Sequence, residues 1–428
     1  MHNAVITGFG SVCGFGVGVP ALLQGLQGGH SAIKRISSFD VSSFPVQMAG
    51  EVSNELTGGA INQEWLTAHG LSQTSLFQEE RIWRDRKTVF GMLAATEAWE
   101  MAGCSEVERD ANLVLALGLE QAYLEDFAPL FSAHHIQWPQ FNNDTSPAKS
   151  RYFRAEVDLC ADMLREKLQL RGQVIVNASA CAAGGLALAQ AASLIERGAT
   201  DIVVCGGADS MVNPFGLGGM TRLGAPSPRN SIDACRPFDR RRDGLVIGEG
   251  AAVFIVESLV RAQARGTKIL AHIAGYASNQ DAYRVTAPRP DGAYTERAMR
   301  TALCKAQMQP EQIGYINAHG TGTPLNDVAE ARAIRACFGD YADCLPVSSI
   351  KGAVGHLMAA SGALEAAACL LSLQHDFLPA TCHYAEPDPE CEIAVIGTTP
   401  RMERVNAILS NSFGFGGQNV SLILTRSN

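Results

Sequence analysis

"VIVNASACAAGGLALAQAASLI", residues 174–195, and "LPVSSIKGAVGHLMAASGALEAAACLLSL", residues 345–373, follow one scheme. In each, a short β-branched stretch leads through a loop into A-[GS]-G and then an Ala/Leu-rich helix. A second pair of segments matches in the same order. "GLVIGEGAAVFIVE" (244–257) parallels "SFGFGGQNVSLILT" (412–425), a glycine turn feeding a strand. Ordered internal similarity of this kind implies a duplication. It places a boundary near residue 265, giving halves 1–265 and 266–428. If the halves pack as pseudo-symmetric mates, equivalent loops converge, and Cys181 of the first half faces the "GAVGH" loop of the second.

Around these segments the chain alternates buried-strand patterns with long Ala-rich ones. "NAVITGFG" (3–10), "NLVLALG" (112–118), "DIVVCGGA" (201–208) and "AAVFIVES" (251–258) read as strands of the first half. "KILAHIAGYA", "IGYINAHG", "LPVSSIKG" and "VSLILTRS" read as those of the second. "KTVFGMLAATEAWEMAG" (87–103) and "CAAGGLALAQAASLIERGA" (181–199) read as helices, the latter with a glycine stop. The alternation predicts an α/β fold on mostly parallel, buried strands.

Bulk properties exclude several classes. With 428 residues, 46% hydrophobic and 18% charged, the chain is a large globular protein. A net charge of −9 argues against nucleic-acid binding, which needs a basic face. The 12 cysteines are scattered singly, with no C-x-x-C pair for zinc or a redox dithiol, and read as reduced thiols. No apolar run reaches roughly 18 residues and no leader is evident, so a cytoplasmic protein without a membrane span is expected. "GFGSVCG" (8–14) misses the dinucleotide fingerprint because its third glycine is one position late, and "GLVIGEGAA" lacks the Lys-Ser/Thr of a P-loop.

Chemistry concentrates in three loops. Cys181 stands at a strand-to-helix junction, where unpaired N–H groups and the helix dipole favour a thiolate. His319, in "INAHGTGTPLND", and His356, in "SSIKGAVGHLMAASG", each follow a strand pattern. Loops at the carboxyl ends of α/β strands are where ligands bind. His134 and His135 are adjacent, so their side chains diverge and read as a surface pair rather than a metal site.

Cys181 in "SACAAG", His319 in "NAHGTGTPLND", Lys351 and His356 in "SSIKGAVGH", and "SNSFGFGGQN" (410–419) together resemble the elongating β-ketoacyl-[acyl-carrier-protein] synthases. "RPFDRRRDGLVIGEGAA" (236–252) and "GYINAHGTGTPLNDVAEARAI" (314–334) match in the same order. The resemblance implies a thiolase-like fold, a duplicated five-layered α-β-α-β-α sandwich. It implies that Cys181 carries the acyl group, that His319 and His356 stabilise the enolate left by decarboxylation of a malonyl thioester, and that the N–H groups of Cys181 and Phe415 hold the acyl oxyanion. Lys351 would pair with Glu330, Thr321 and Thr323 would hold the pantetheine arm, and Phe413 and Phe415 would form a glycine-flanked gate. No metal or organic cofactor is implied, the substrates being carried on the phosphopantetheine of an acyl carrier protein. Arg81 and Arg84 in "RIWRDRK" and Arg229 in "SPRN" fall where the family docks that acidic partner.

A homodimer is implied, with a heterodimer of homologous subunits as the variant. A Cys-His-His set differs from the initiating type III enzymes, which replace the second histidine with asparagine, and from thiolases, which use a second cysteine. The stretch 119–172 departs from the family: "GLEQAYLEDF" (118–127) puts Glu120 and Gln121 where an apolar acyl pocket is expected. Chain elongation in fatty-acid style is the leading expectation, with a ketosynthase of a type II polyketide or polyene pathway as the alternative. A non-elongating acyltransferase and a non-catalytic interface subunit stand behind them.

Overall fold

The computed structural model describes residues 3–53, 85–119, 131–132, 135–136 and 157–427. Ten strands form one continuous sheet path. In chain order they are β1 (Ala4–Cys13), β2 (Asn112–Leu117), β3 (Val174–Asn177), β4 (Ile202–Ser210) and β5 (Ile247–Ser258), then β6 (Ala271–Gln280), β7 (Tyr315–Asn317), β8 (Val347–Ser348), β9 (Ala407–Gly414) and β10 (Gln418–Arg426). Their spatial order is β8-β7-β9-β10-β6-β1-β5-β4-β2-β3. Read outward from the centre, each half repeats the other: β1-β5-β4-β2-β3 against β6-β10-β9-β7-β8. The halves meet where β1 pairs with β6 at Val5↔His272 and Ile6↔Ala271.

The expectation of mostly parallel strands holds only at the flanks. β2 pairs with β3 and β4, and β7 with β8 and β9, in parallel. β4/β5, β5/β1, β9/β10, β10/β6 and the central β1/β6 pair are antiparallel. The connections explain this. Helical crossovers link the parallel neighbours, whereas β9 reaches β10 through a tight glycine turn, which closes only an antiparallel pair.

Six helices complete the repeat: α1 (Arg86–Met101), α2 (Leu159–Lys167) and α3 (Ala183–Glu196), then α4 (Ala293–Ala306), α5 (Pro324–Phe338) and α6 (Ser361–His375). α1 and α2 share a core with one face of the first half-sheet, and α4 and α5 with one face of the second. α3 and α6 lie between the halves, sharing a core with strands of both. The result is the thiolase-like five-layer sandwich.

The two central helices are apolar almost all round, as a helix buried on every side must be. Their approach is close. A Cβ on Gly184 would stand 2.5 Å from Ala363 N, and one on Gly362 would stand 2.5 Å from Gly185 N. Small residues there let two helix N-termini meet at the centre of the molecule. Among the described residues, no helix is long and apolar enough to cross a membrane.

Candidate active site

The β3–α3 and β8–α6 connections are equivalent under the repeat and both end at the centre, at Cys181 and His356. The β7–α5 connection brings His319. Cys181 occupies a single 3-10 turn, Ala180–Ala182, just before α3, and the turn is entered through Ala180 at φ 48°. Cys181, His319, His356, Thr321, Thr323, Phe413 and Phe415 line one cavity of about 520 Å³. Three of these residues are buried: Cys181 is 9% exposed, His319 3% and His356 1%.

The thiol does not behave as its helix-terminal position suggests. Burial pushes Cys181 up to about 12, and the Asp209 carboxylate adds to the rise. The charge of Lys351 and the N–H of Phe415 oppose it without prevailing. Desolvating an anion outweighs a helix dipole when the sulfur is closed off from water.

Both histidines are held neutral. Burial, then the Lys351 charge, keeps each imidazole well below the ordinary histidine range. Their hydrogen bonds select the tautomer. Met358 N donates to His356 Nδ1 at 3.0 Å, with Ser361 Oγ at 2.9 Å from the same nitrogen. Lys351 Nζ lies 3.3 Å from His319 Nδ1. A neutral ring whose Nδ1 accepts must carry its proton on Nε2. Two rings that each carry the proton on Nε2 are therefore neighbours, with centroids 5.4 Å apart and planes nearly perpendicular. His319 also packs edge-on against Phe413 at 5.4 Å.

The Lys351–Glu330 pairing is corrected by the structure. Lys351 donates to Glu365 in α6 and to His319 O at 2.5 Å. Glu330 instead accepts from His319 N at 2.9 Å, Gly320 N at 2.8 Å and Asn411 Nδ2 at 3.2 Å. Both carboxylates serve the His319 loop, one through its backbone N–H groups and the other by neutralising the lysine that faces the ring. Burial lifts Glu330 to about 7 against the pull of the two N–H bonds.

Glu365 and two further buried groups were not singled out from sequence. Asp327 accepts from Thr321 N at 3.0 Å and Phe238 N at 2.7 Å, which shapes the threonine loop. Asp209 accepts from Ala359 N at 2.8 Å, tying β4 to the turn before α6. Asp327 sits inside the quoted segment "GYINAHGTGTPLNDVAEARAI"; Glu365 has only a mid-helix carboxylate in an apolar helix as its signal.

The glycine turn closes the site. Cys181 and Phe415 belong to one apolar cluster. The Gln418 amide, oriented to satisfy both its ends, donates to Phe415 O at 2.8 Å and Ser179 O at 3.3 Å. A Cβ on Gly414 would lie 3.2 Å from the backbone nitrogens of Cys181 and Ala182. Arg229 is exposed and bound to Asp243, Nε to Oδ2 at 2.6 Å, and Asp243 lines the cavity. Arg81, Arg84, Glu120 and Gln121 lie outside the described residues.

A buried cysteine and two neutral Nε2–H imidazoles lining one cavity, on a duplicated thiolase-like fold, define a condensing acyltransferase. The chain belongs to the β-ketoacyl synthase family: residues 1–262 match the Beta-ketoacyl synthase, N-terminal domain and residues 270–385 the Beta-ketoacyl synthase, C-terminal domain. It is 35% identical to 3-oxoacyl-[acyl-carrier-protein] synthase 2 of Coxiella burnetii, over 99% of both chains. It is equally 35% identical to putative polyketide beta-ketoacyl synthase 1 of Streptomyces cyaneus, over 99% of this chain and 98% of that one. Among solved structures it is similar to the ishigamide ketosynthase/chain length factor, with a TM-score of 0.85, 31% identity and full coverage of both chains. A type II polyketide acyl-carrier protein in complex with its ketosynthase bound to the hexaketide is similar at a TM-score of 0.83 and 26% identity, again over the whole of both chains.

Proposed function

We propose that the protein joins an acyl group to a malonyl unit by decarboxylative Claisen condensation, giving a 3-oxoacyl thioester on an acyl carrier protein. The observation that carries this reading is the pair of neutral Nε2–H imidazoles that share one cavity with Cys181. In the first step Cys181 Sγ displaces the pantetheine sulfur of an acyl thioester, and its proton ends on the departing thiol. The exchange is proton-neutral, which suits a thiol that is protonated at rest. The Lys351 charge and the Phe415 N–H favour the transient thiolate.

In the second step the malonyl C–C bond breaks and carbon dioxide leaves. Its electron pair becomes an enolate whose oxygen accepts from His319 and His356, and stabilising such developing charge is usually the largest catalytic contribution. The enolate carbon attacks the acyl-Cys181 carbonyl, and the N–H groups of Cys181 and Phe415 hold the oxyanion. Collapse expels the Cys181 thiolate, which takes up one proton. Thr321 and Thr323, with hydroxyls 2.8 Å apart, line the path of the arm. The reaction as written uses no metal or organic cofactor.

Carrier proteins are acidic, so docking falls to local cations near the cavity mouth, Arg229 among them. A homodimer goes with fatty-acid-type elongation. A polyketide or polyene ketosynthase is the second reading, favoured by the polar Glu120 and Gln121, and it goes with a homologous partner subunit. Incubation with acyl- and malonyl-carrier proteins tests the reaction. Carbon dioxide release with a two-carbon-longer 3-oxo product is expected, and the 3-oxo product is lost in Cys181→Ala; acyl transfer without carbon dioxide release refutes condensation.

A further inference from the structure

The Cys181 cavity does not end alone at the surface. A second cavity, of about 470 Å³, shares part of its wall, including Arg284, Pro324 and Leu325. The shared part is an outer one. Leu325 is 64% exposed and Val285, beside Arg284, is 76% exposed, whereas Cys181 and the histidines are buried. Four arginines line the second cavity: Arg240, Arg242, Arg284 and Arg332.

Their charges are not equally committed. Arg242 is bound to Asp388, and it donates to Thr323 O and Pro324 O. Arg332 is held by Glu390 at 3.2 Å and Pro290 O at 3.1 Å. Arg240 and Arg284 make no ion pair among the described residues; Arg240 acts on Asp388 only through its charge, and Arg284 sits 5.4 Å over the Tyr283 ring. The lining therefore has four guanidinium groups against the carboxylates of Asp388 and Glu390, and the two uncommitted ones include the arginine common to both cavities.

We infer that this second cavity is a phosphate station: Arg284, with Arg240, binds the phosphate ester at the outer end of the substrate's pantetheine arm. The inference rests on the proposed reading of the first cavity. The Arg284 rim is an outer edge of the cavity that holds Cys181, and a phosphate is the group of an emerging arm that a guanidinium there recognises best. The same chemistry is offered by a carrier-bound arm and by coenzyme A, whose nucleotide would extend into the second cavity.

Calorimetric titration of the full chain with pantetheine, 4′-phosphopantetheine and coenzyme A tests this. We expect 4′-phosphopantetheine to bind about tenfold more tightly than pantetheine, the scale of one exposed charge-assisted contact. The preference falls to about one in Arg284→Ala, shrinks in Arg240→Ala and partly survives in Arg284→Lys; a ratio rather than an absolute affinity is immune to a loss of folded protein. Equal binding of 4′-phosphopantetheine and coenzyme A assigns the recognised group as the arm's own phosphate, and tighter binding of coenzyme A adds the nucleotide phosphates to the station. No phosphate preference in the wild type, or one unchanged in both alanine variants, overturns the inference. Mass spectrometry of Cys181 with an acyl thioester separates the two readings: a missing adduct beside an intact phosphate preference refutes the condensation and not the station.

Discussion

Replacing Gly414 by alanine should disable acyl transfer without unfolding the protein. The added Cβ would lie 3.2 Å from both Cys181 N and Ala182 N and 3.1 Å from the end of Gln418. An acyl oxyanion must stand roughly 2.7–3.1 Å from the Cys181 nitrogen to use its N–H, so methyl and oxyanion compete for one space. Losing one such donor costs about 10²- to 10³-fold in kcat. The folding cost is small by comparison. Gly414 does not adopt a positive φ, so alanine gains about 0.4–1 kcal/mol from the stiffer unfolded chain, which offsets the tight contacts. The rate of Cys181 acylation, followed by intact-protein mass, and the melting temperature should therefore separate. Acylation within about threefold of wild type, in a protein of unchanged stability, would refute the oxyanion assignment, since a lost donor costs far more.

Three further outcomes follow from the same geometry. Glu365→Ala strands the buried Lys351 charge and should cost about 3–5 kcal/mol in denaturant unfolding, more than Glu330→Gln, which keeps an acceptor for one loop N–H; the reverse ranking would restore Glu330 as the partner of the lysine. Histidines held neutral in the fold but free to protonate when unfolded withdraw stability as pH falls below about 6.5. Each can contribute up to about 1.4 kcal/mol between pH 7.5 and 5.5, so His356→Gln should show a shallower acid loss than wild type. Comparing the two chains cancels Glu330, whose raised value of about 7 acts oppositely and withdraws stability as pH rises toward it. Arg229→Glu places a second carboxylate beside Asp243 and should raise KM for a carrier-bound thioester several-fold while changing that for a small thioester much less; equal effects on both would remove Arg229 from docking.

The strand–loop–helix repeats were legible because their signals are local. Period-two and helical patterns, and the position of Cys181, His319 and His356 just after strands, depend on residues within a few turns of each other. The duplication then predicted that the β3–α3 and β8–α6 loops meet, and α3 and α6 do pack together in the central layer. The parallel expectation fails at the sheet centre because pairing direction depends on how strands are connected, and the short glycine turn between β9 and β10 closes an antiparallel pair that no local pattern distinguishes from a flexible loop.

By itself, then, the sequence determined the α/β class, the twofold repeat and the three loops that bring Cys181, His319 and His356 to one cavity, all of which rest on short-range pattern and motif order. Only the tertiary structure decided which carboxylate meets Lys351, because that depends on the register of α6 against the His319 loop: Glu365 reaches the ammonium, while Glu330 turns to two backbone N–H groups. It also decided the protonation of the site. A helix terminus favours a thiolate, but enclosure of Cys181 and both imidazoles removes the water that would solvate their charged forms, and that desolvation is a property of the surroundings rather than of any motif.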